Sequence, residues 1–322
     1  MKHKSFLSVL LCVLLLFQLT ACHNPVLEEK KQIAVIVKSE HSAFWQTVQK
    51  GVEAAAAAYN VSVTFAGPDN EEDFVTQNQM IADAAARSVD AILLSAIEYE
   101  QCAEAVTAAA QRGVKMIAID SPVHSSAVSM FVGTDNVAAG VSAAKAVLIG
   151  LPTDKPATVG ILNVEGTTEN GRQREEGFRN YMAQFQNIEI LPTVHVPSNV
   201  GSARQAVNDL LTAHPEICAL VGLNEFMTLG IGDTVEALQL SNRLYTVGFD
   251  ANVRSIEQLE AGDMDALIVQ NPFAIGYLGI EAAMRCLEGA TTETKLYTQT
   301  SCITKETMFT EENQKLLFHF EG

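Results

Sequence analysis

The feature of this 322-residue sequence that most constrains its fold is a regular alternation of short apolar runs with helical patterns. The first run, Ile33 to Val37, consists of apolar and mostly β-branched residues, which is typical of a strand buried on both faces. A helical pattern follows over 43–59, and similar pairs recur as far as a helical pattern at 273–288. Such alternation predicts parallel sheets with helices on both faces.

The apolar runs are too numerous for one comfortable sheet, and Gly150 to Pro156 forms a natural break between two series. We therefore predict an α/β fold of two Rossmann-like lobes, each with a parallel sheet. The hydrophobic content of 48% is sufficient for a large core. In this prediction 188–196 is one strand, Glu71 to Asp73 open a solvated helix start, and 296–304 is an extended tail.

The N-terminal residues have the pattern of an export signal. Lys2 and Lys4 precede an apolar run from Phe6 to Phe17, which is too short to span a bilayer core of about 30 Å. This predicts a secretory signal over residues 1–21. Leu19-Thr20-Ala21-Cys22 resembles the lipobox of bacterial lipoproteins, which implies a lipid on Cys22 and a tether over 22–32. An ordinary cleaved signal is the alternative.

Composition and motifs argue against several classes of function. The formal charge is −17 and no basic stripe is visible, so a nucleic-acid partner is not expected. No phosphate-binding glycine loop, nucleophile elbow or zinc-protease motif is present. We therefore predict a protein that is not an enzyme, with no catalytic residue and no cofactor.

The cysteines beyond the signal and Cys22 do not have the spacing of metal ligands. Metal binding is therefore not expected, and buried free thiols are the favoured interpretation. A bridge between Cys286 and Cys302 remains possible in an exported protein. The cysteines concerned are Cys102, Cys218, Cys286 and Cys302.

Polar side chains stand at the ends of four predicted strands: Asp120, Asn224, Asp250 and Gln270. Because the carboxyl ends of parallel strands meet at one edge of a sheet, we expect these side chains to converge on a crevice. Carboxylates and amides suit a hydroxyl-rich ligand, since they accept and donate hydrogen bonds. For Asp120 and Asp250 taken singly, a helix cap is the alternative.

Aromatic residues accompany this polar set. Phe44, Trp45 and Phe249 would offer flat apolar faces to the C–H face of a sugar ring. Lys38 ends the first strand and is placed to enter the same crevice. Its alternative role is an ion pair with Glu40 or Asp120.

Several short stretches, taken in their order along the chain, resemble the periplasmic sugar-binding proteins of the ribose and galactose class, the type I solute-binding proteins. The resemblance covers 33–304. It rests on Ile33 to Val37 with Phe44-Trp45, Gly133-Thr134-Asp135-Asn136, Arg174-Glu175-Glu176-Gly177-Phe178, Leu210-Leu211-Thr212-Ala213-His214-Pro215, Asn224-Glu225-Phe226-Met227, Val247-Gly248-Phe249-Asp250 and Gln270-Asn271-Pro272.

The resemblance implies the type I periplasmic-binding-protein fold, in which three crossovers form a hinge and the lobes close on ligand. The crossovers are expected near Thr134, Gln270 and Leu296. The N-terminal lobe would then comprise 33–134 plus 271–296. The C-terminal lobe would comprise 135–270 plus 297–322.

The resemblance also implies roles for single residues. Phe44 and Trp45 match the family's stacking aromatics, and its hydrogen-bonding set corresponds to Asp120, Arg174, Asn224, Asp250 and Gln270. Three positions depart from the ribose binders. Ser121 replaces an arginine, Ala96 replaces an asparagine, and Lys38 stands where a small polar residue is common. A lysine at a similar position occurs in autoinducer-2 binders, so an autoinducer-2-like or anionic ligand is an alternative to a sugar or polyol.

The expected partners follow from the same resemblance. Extracytoplasmic proteins of this kind deliver ligand to the membrane permease of an ABC transporter or report to a membrane histidine kinase. Both partners read the closure of the lobes, and the sequence leaves the two open. A sugar-operon repressor would need an N-terminal DNA-binding helix-turn-helix where this chain has its predicted signal.

Overall fold

A computed structural model of the chain describes residues 30–152, 155–164, 168–290 and 293–318. The predicted signal 1–21 and Cys22 lie outside the described residues, as does most of the tether. All described sheets and helices belong to the compact unit Gln32–Gly322. Among the described residues, none of the helices is both long and apolar enough to cross a membrane.

The first lobe is built on a six-stranded sheet whose strands are all parallel. Its strands are β1 (Gln32–Ile36), β2 (Ser62–Ala66), β3 (Ala91–Leu94), β4 (Lys115–Ile119), β5 (Val128–Gly133) and β12 (Lys295–Tyr297). Across the sheet their order is β12-β5-β4-β3-β1-β2.

The second lobe is built on a seven-stranded sheet. Its strands are β6 (Ala157–Val164), β7 (Ile188–Ile190), β8 (Val194–Val196), β9 (Ile217–Gly222), β10 (Tyr245–Phe249), β11 (Ala266–Val269) and β13 (Ser301–Thr304). The order is β13-β11-β10-β9-β6-β7, with β8 also paired to β6. Strand β13 runs antiparallel to β11, while the other pairs are parallel.

Helices cover both faces of each sheet, as predicted. In chain order they are α1 (Ala43–Tyr59), α2 (Phe74–Ala86), α3 (Ala103–Gln111), α4 (Asn136–Gly150), α5 (Glu169–Met182), α6 (Val200–Ala213), α7 (Glu225–Leu238), α8 (Val253–Ala261), α9 (Pro272–Leu287) and α10 (Glu311–Leu317). Apolar clusters fill the space between helices and sheet on each face of both lobes. Burial of this apolar surface is the main stabilising contribution to such a fold.

The chain passes between the lobes in three places. Strand β5 and helix α4 are separated by Thr134 and Asp135, and the return to α9 runs through Gln270 and Asn271. The third passage occupies 298–300, between β12 and β13, so Leu296 lies inside a strand of the first sheet. We propose these passages as the hinge and as the limits of the lobes.

Several local predictions need correction. The single strand predicted over 188–196 is two strands, because Pro192 stands between them and has no N–H for the ladder. The predicted tail divides into β12 and β13, which belong to different sheets. Helix α2 begins at Phe74 with Asp73 as its cap, so Glu71 does not open it. Helix α10 was not predicted.

The four cysteines in the described part of the chain are free thiols. Cys102 and Cys286 are buried, as interpreted from the sequence. Cys218 is half-buried and Cys302 is exposed, so the buried-thiol interpretation is wrong for these two.

Candidate functional site

A cavity lies at the carboxyl ends of the strands and is lined from both lobes; its empty space, including the part open to solvent, is about 450 Å³. The first lobe contributes Lys38, Ser42, Phe44, Trp45, Glu71 and Asp120. The second lobe and the hinge contribute Asn163, Val164, Thr168, Asn170, Gly171, Arg174, Leu223, Asn224, Glu225, Phe226, Asp250 and Gln270. Eight of the nine predicted ligand-binding residues are therefore among its lining residues, and Phe249 is not.

Asp120 and Asp250 occupy equivalent positions, one after β4 and the other after β10. Their φ angles are 57° and 69°, in the left-handed region that aspartate tolerates better than most residues. Neither caps a helix: the helix after Asp250, α8, is capped by Asn252. The helix-cap alternative is wrong for both, and their carboxylates line the cavity.

Lys38 joins the two lobes rather than pointing freely into the cavity. Its side chain is 3% exposed, and its ammonium lies 3.6 Å from Oδ2 of Asp120 and donates to Oδ1 of Asn170 at 3.1 Å. The amide of Asn170 in turn donates to Oδ2 of Asp120 at 3.2 Å, and Ser95 donates to the same oxygen at 2.9 Å. The ion pair with Asp120, offered as the alternative role of Lys38, is present.

Arg174 is held from three sides. Its Nε donates to Oδ1 of Asn136 and its Nη1 to the carbonyl of Leu223, both at 2.8 Å. The guanidinium carbon lies 4.5 Å from the ring centre of Phe249. Its Nη2 is buried and has no hydrogen-bond partner among the described residues. Arg174 therefore presents one oriented donor to a ligand.

The ring of Phe249 packs against the guanidinium of Arg174 and does not line the cavity. Its ring is fully buried in the apolar cluster beneath α4 and α5. Phe249 is the last residue of β10, and Asp250 follows it with a left-handed backbone. The Asp250 side chain lines the cavity, whereas the Phe249 ring lies in the apolar cluster. The predicted sugar-stacking surface is thus limited to Phe44 and Trp45.

Hinge residues complete the polar set. The amide of Gln270 donates to Oδ1 of Asp250, and Thr134 donates its hydroxyl to Oε1 of Gln270, each at 2.7 Å. Two of the three passages are therefore joined directly beside the cavity. Burial raises the pKa of Asp250, and the charge of Arg174 opposes this effect.

The aromatic wall is formed at the start of α1. Phe44 and Trp45 meet edge to face, with ring centres 4.9 Å apart. Indole Nε1 of Trp45 donates to Oε1 of Glu71 at 2.8 Å, which fixes the ring plane. Asn224 has two roles, since its side chain lines the cavity and also caps α7 by accepting from the amide of Met227.

Six polar lining residues of the cavity were missed from the sequence: Ser42, Glu71, Asn163, Thr168, Asn170 and Glu225. Glu71 lies in an acidic stretch that was interpreted as a solvated helix start. Glu225 directly follows Asn224, and this closeness to a predicted strand-end residue was the available signal.

Glu225 is a buried acid with contacts in both lobes. Its carboxylate accepts from Nδ2 of Asn252 at 2.7 Å and from the amide of Phe44, in the other lobe, at 3.5 Å. Burial raises the pKa of Glu225 to about 7, and the nearby charge of Asp250 acts in the same direction. Burial also raises the pKa of Glu71.

The described lining residues carry four carboxylates and two cations, a formal balance of −2. The cations are Lys38 and Arg174, and both already contact groups of the protein. Among the described residues there is no group of three or more His, Cys, Asp and Glu side chains that could hold a metal ion. The arrangement can bind hydroxyl groups on several sides of a small ring and stack an aromatic wall against it.

Residues 33–291 match the periplasmic binding protein domain family. The D-allose-binding periplasmic protein of Escherichia coli (strain K12) is 24% identical over 257 residues, covering 78% of this chain and 82% of that protein. The ribose import binding protein RbsB of Bacillus subtilis (strain 168) is 28% identical over 297 residues, covering 89% and 94%.

Solved structures agree in fold. A carbohydrate transporter solute-binding protein from Agrobacterium radiobacter, in complex with D-arabinose, superimposes with a TM-score of 0.87 at 28% identity, covering 90% of this chain and 99% of that one. A solute-binding protein of an ABC transporter from Agrobacterium vitis, with bound D-fucose, gives a TM-score of 0.85 at 28% identity, covering 89% and 100%.

The two lobes and the cavity between them define a solute-binding protein. The chain belongs to the periplasmic binding protein family, whose domain covers most of the compact unit. The predicted fold class and the resemblance to the sugar-binding group are both confirmed. The family places the protein outside the cytoplasm.

Proposed function

We propose that this protein captures a neutral sugar or related polyol between its lobes and delivers it to the membrane permease of an ABC transporter. The observation that carries the proposal is the cavity itself, in which aromatic and hydrogen-bonding side chains of both lobes surround one small space. Related proteins named for ribose and allose, and solved structures holding arabinose and fucose, support a sugar.

The hydrogen-bonding groups suit ligand hydroxyls. Arg174 offers a buried Nη2 donor, and leaving such a group unpaired costs about 1–3 kcal/mol. A ligand hydroxyl can accept from it and donate to the carboxylate of Asp250. Each interaction needs its partner in the correct place, so binding favours the closed arrangement of the lobes.

The charge balance favours a neutral ligand over an anionic one. Lys38 is the cation that suggested an anionic or autoinducer-2-like ligand, but its ammonium contacts Asp120 and Asn170. An added anion would face four carboxylates among the described lining residues in a poorly hydrated space. Sugar phosphates and sugar acids should therefore be rejected.

We also propose export and anchoring. The sequence from Leu19 to Cys22 supports cleavage after residue 21 and lipid attachment at Cys22. In that case Cys22→Ala should abolish the incorporation of labelled palmitate into the protein. Equal palmitate labelling of the variant and the wild type would contradict the proposed anchor.

The ligand proposal is tested by thermal unfolding in the presence of D-ribose, D-arabinose, D-allose and D-fucose, with their phosphates or acids as comparison compounds. At one hundred times its Kd a ligand stabilises the native state by about 2.7 kcal/mol, so Tm should rise with concentration for at least one neutral sugar. Trp45 is the one tryptophan of the sequence and lines the cavity, so its fluorescence supplies the Kd.

Two results would contradict the proposal. If no neutral sugar or polyol raised Tm or altered the Trp45 emission, sugar capture would be wrong. If only the anionic compounds did so, the argument from charge would be wrong while solute binding survived.

A further inference from the structure

Hydrogen bonds cross between the lobes both inside and outside the cavity. Inside it, Lys38 reaches Asn170 and the amide of Phe44 reaches Glu225. Outside it, the amide of Ser198 donates to Oε1 of Glu72 at 2.7 Å. Neither Glu72 nor Ser198 lines the cavity. This last bond therefore joins the lobes without touching the space for the ligand.

Glu72 is presented by a rigid turn of the first lobe between β2 and α2. Its own amide donates to Oδ1 of Asn70 at 3.1 Å, and the next residue, Asp73, caps α2 through the amide of Thr76 at 2.9 Å. The preceding residue, Glu71, is held by the indole of Trp45. Residues on both sides of Glu72 are thus fixed, and little conformational freedom is lost when its carboxylate forms a bond.

Ser198 is presented equally firmly by the second lobe, between β8 and α6. The amide of Asn199 donates to the carbonyl of Pro197 at 2.7 Å, and Oδ1 of Asn199 caps α6 by accepting from Ser202 at 2.8 Å. The Ser198 amide lies between these two bonds and points out of the turn. A carboxylate accepting from such an amide makes a charge-assisted hydrogen bond, which is stronger than a neutral one.

We propose that Glu72 and the Ser198 amide form a latch that stabilises the closed lobes whatever ligand the cavity holds. The inference rests on the proposed function, in which the lobes close around a sugar. When the competent state is only partly populated, the apparent Kd is the intrinsic Kd divided by the closed fraction. Loss of the latch lowers the closed fraction and therefore raises the apparent Kd of every ligand by one common factor.

This common factor distinguishes a latch from a binding residue. A side chain that touches the ligand changes the affinities for different sugars unequally, because the sugars present different hydroxyl groups to it. Glu72 acts only through the position of the lobes, so it sets affinity without setting selectivity.

The test compares Glu72→Ala, which removes the accepting carboxylate, with the matched control Asp69→Ala. Asp69 lies in the same turn with a fully exposed side chain, so its variant removes the same charge. Trp45 fluorescence gives the Kd for each of D-ribose, D-arabinose, D-allose and D-fucose that binds the wild type. We expect E72A to weaken the binding of all these sugars by the same factor, about three- to tenfold. D69A should bind them as the wild type does, and the ligand-free Tm of both variants should be unchanged.

The latch is wrong if E72A binds as tightly as the wild type, or if its effect differs between sugars by more than about twofold. If the wild type binds none of the four sugars, the proposed function fails separately. Small-angle scattering without ligand then decides the latch. A larger radius of gyration for E72A than for D69A supports it, and equal radii overturn it.

Discussion

At the scale of single residues, Arg174 supports the fold and, in our proposal, also binds the ligand. Two of its nitrogens bond within the second lobe, its flat face rests on Phe249, and its buried Nη2 has no hydrogen-bond partner among the described residues. Among side chains, only the guanidinium has enough N–H donors in a fixed planar arrangement to make all of these contacts at once. A lysine would keep the charge and lose the geometry.

We therefore expect Arg174→Lys to weaken sugar binding at least tenfold and to lower the free energy of unfolding by about 1–3 kcal/mol. Trp45 fluorescence and urea unfolding measure the two effects. Arg172→Lys is the control, because Arg172 is 59% exposed and pairs on the surface with Glu169 and Glu176. Wild-type affinity in R174K would show that the Nη2 donor is not used.

Glu225 predicts a pH dependence of stability. Its pKa is about 7 in the folded chain, against an ordinary value near 4.5, so the folded state binds more protons between these two values. The stability present below about pH 4.5 is therefore lost as pH rises towards 7, by at most about 3 kcal/mol.

The measurement is urea unfolding at pH 5 and pH 8. Glu225→Gln removes the titrating group, so the variant should gain stability relative to wild type between the two values. Glu53→Gln, on the exposed face of α1, serves as the control and should follow the wild-type pH dependence. Parallel pH curves for wild type and E225Q would contradict the assignment.

At the scale of elements, each lobe contains a helix pair in close backbone contact. A Cβ added at Gly140 of α4 would lie 2.0 Å from the carbonyl oxygen of Arg174 in α5, and one at Gly177 would lie 2.1 Å from that of Val137. In the first lobe, a Cβ added at Gly51 of α1 or at Gly276 of α9 would lie 2.1 Å from a backbone oxygen of the other helix. The close approach of α4 lets Asn136 reach Arg174.

Gly140→Ala should push α4 away from α5 and lower the free energy of unfolding by about 2 kcal/mol or more, because neither backbone can yield locally. Sugar affinity should fall as well, since the Asn136–Arg174 bond is disturbed. The control is Gly201→Ala on α6, where the new Cβ meets only Oδ1 of Asn199 at 3.5 Å. The free energy of unfolding of that variant should rise by up to about 1 kcal/mol. Wild-type stability in G140A would contradict the packing argument.

At the scale of the whole molecule, the carboxyl ends of both sheets lie at the cavity, and two of the passages between the lobes are joined beside it. Thr134 of the first passage bonds Gln270 of the second, and Gln270 also bonds Asp250. A hinge that shares a residue with the site couples lobe position to ligand contact directly. The Glu72–Ser198 bond, in our proposal, adds a contribution to closure that the ligand does not influence.

The sequence by itself determined the two-lobe fold class and eight of the eighteen described lining residues of the cavity. Helix α1 has the bounds that were predicted, because local periodicity and a good cap act within a few residues. The strand-end rule placed Asp120, Asn224, Asp250 and Gln270 at one cavity, since it depends only on parallel order.

Only the tertiary structure decided the remainder. Phe249 does not line the cavity because its ring packs into the apolar cluster of the second lobe, and a pattern of strand ends does not tell which side of a strand faces the cavity. The roles of Lys38, Glu71 and Glu225 depend on partners far away in sequence, two of them in the opposite lobe. Such contacts follow from the placement of one sheet against the other, which no local pattern encodes.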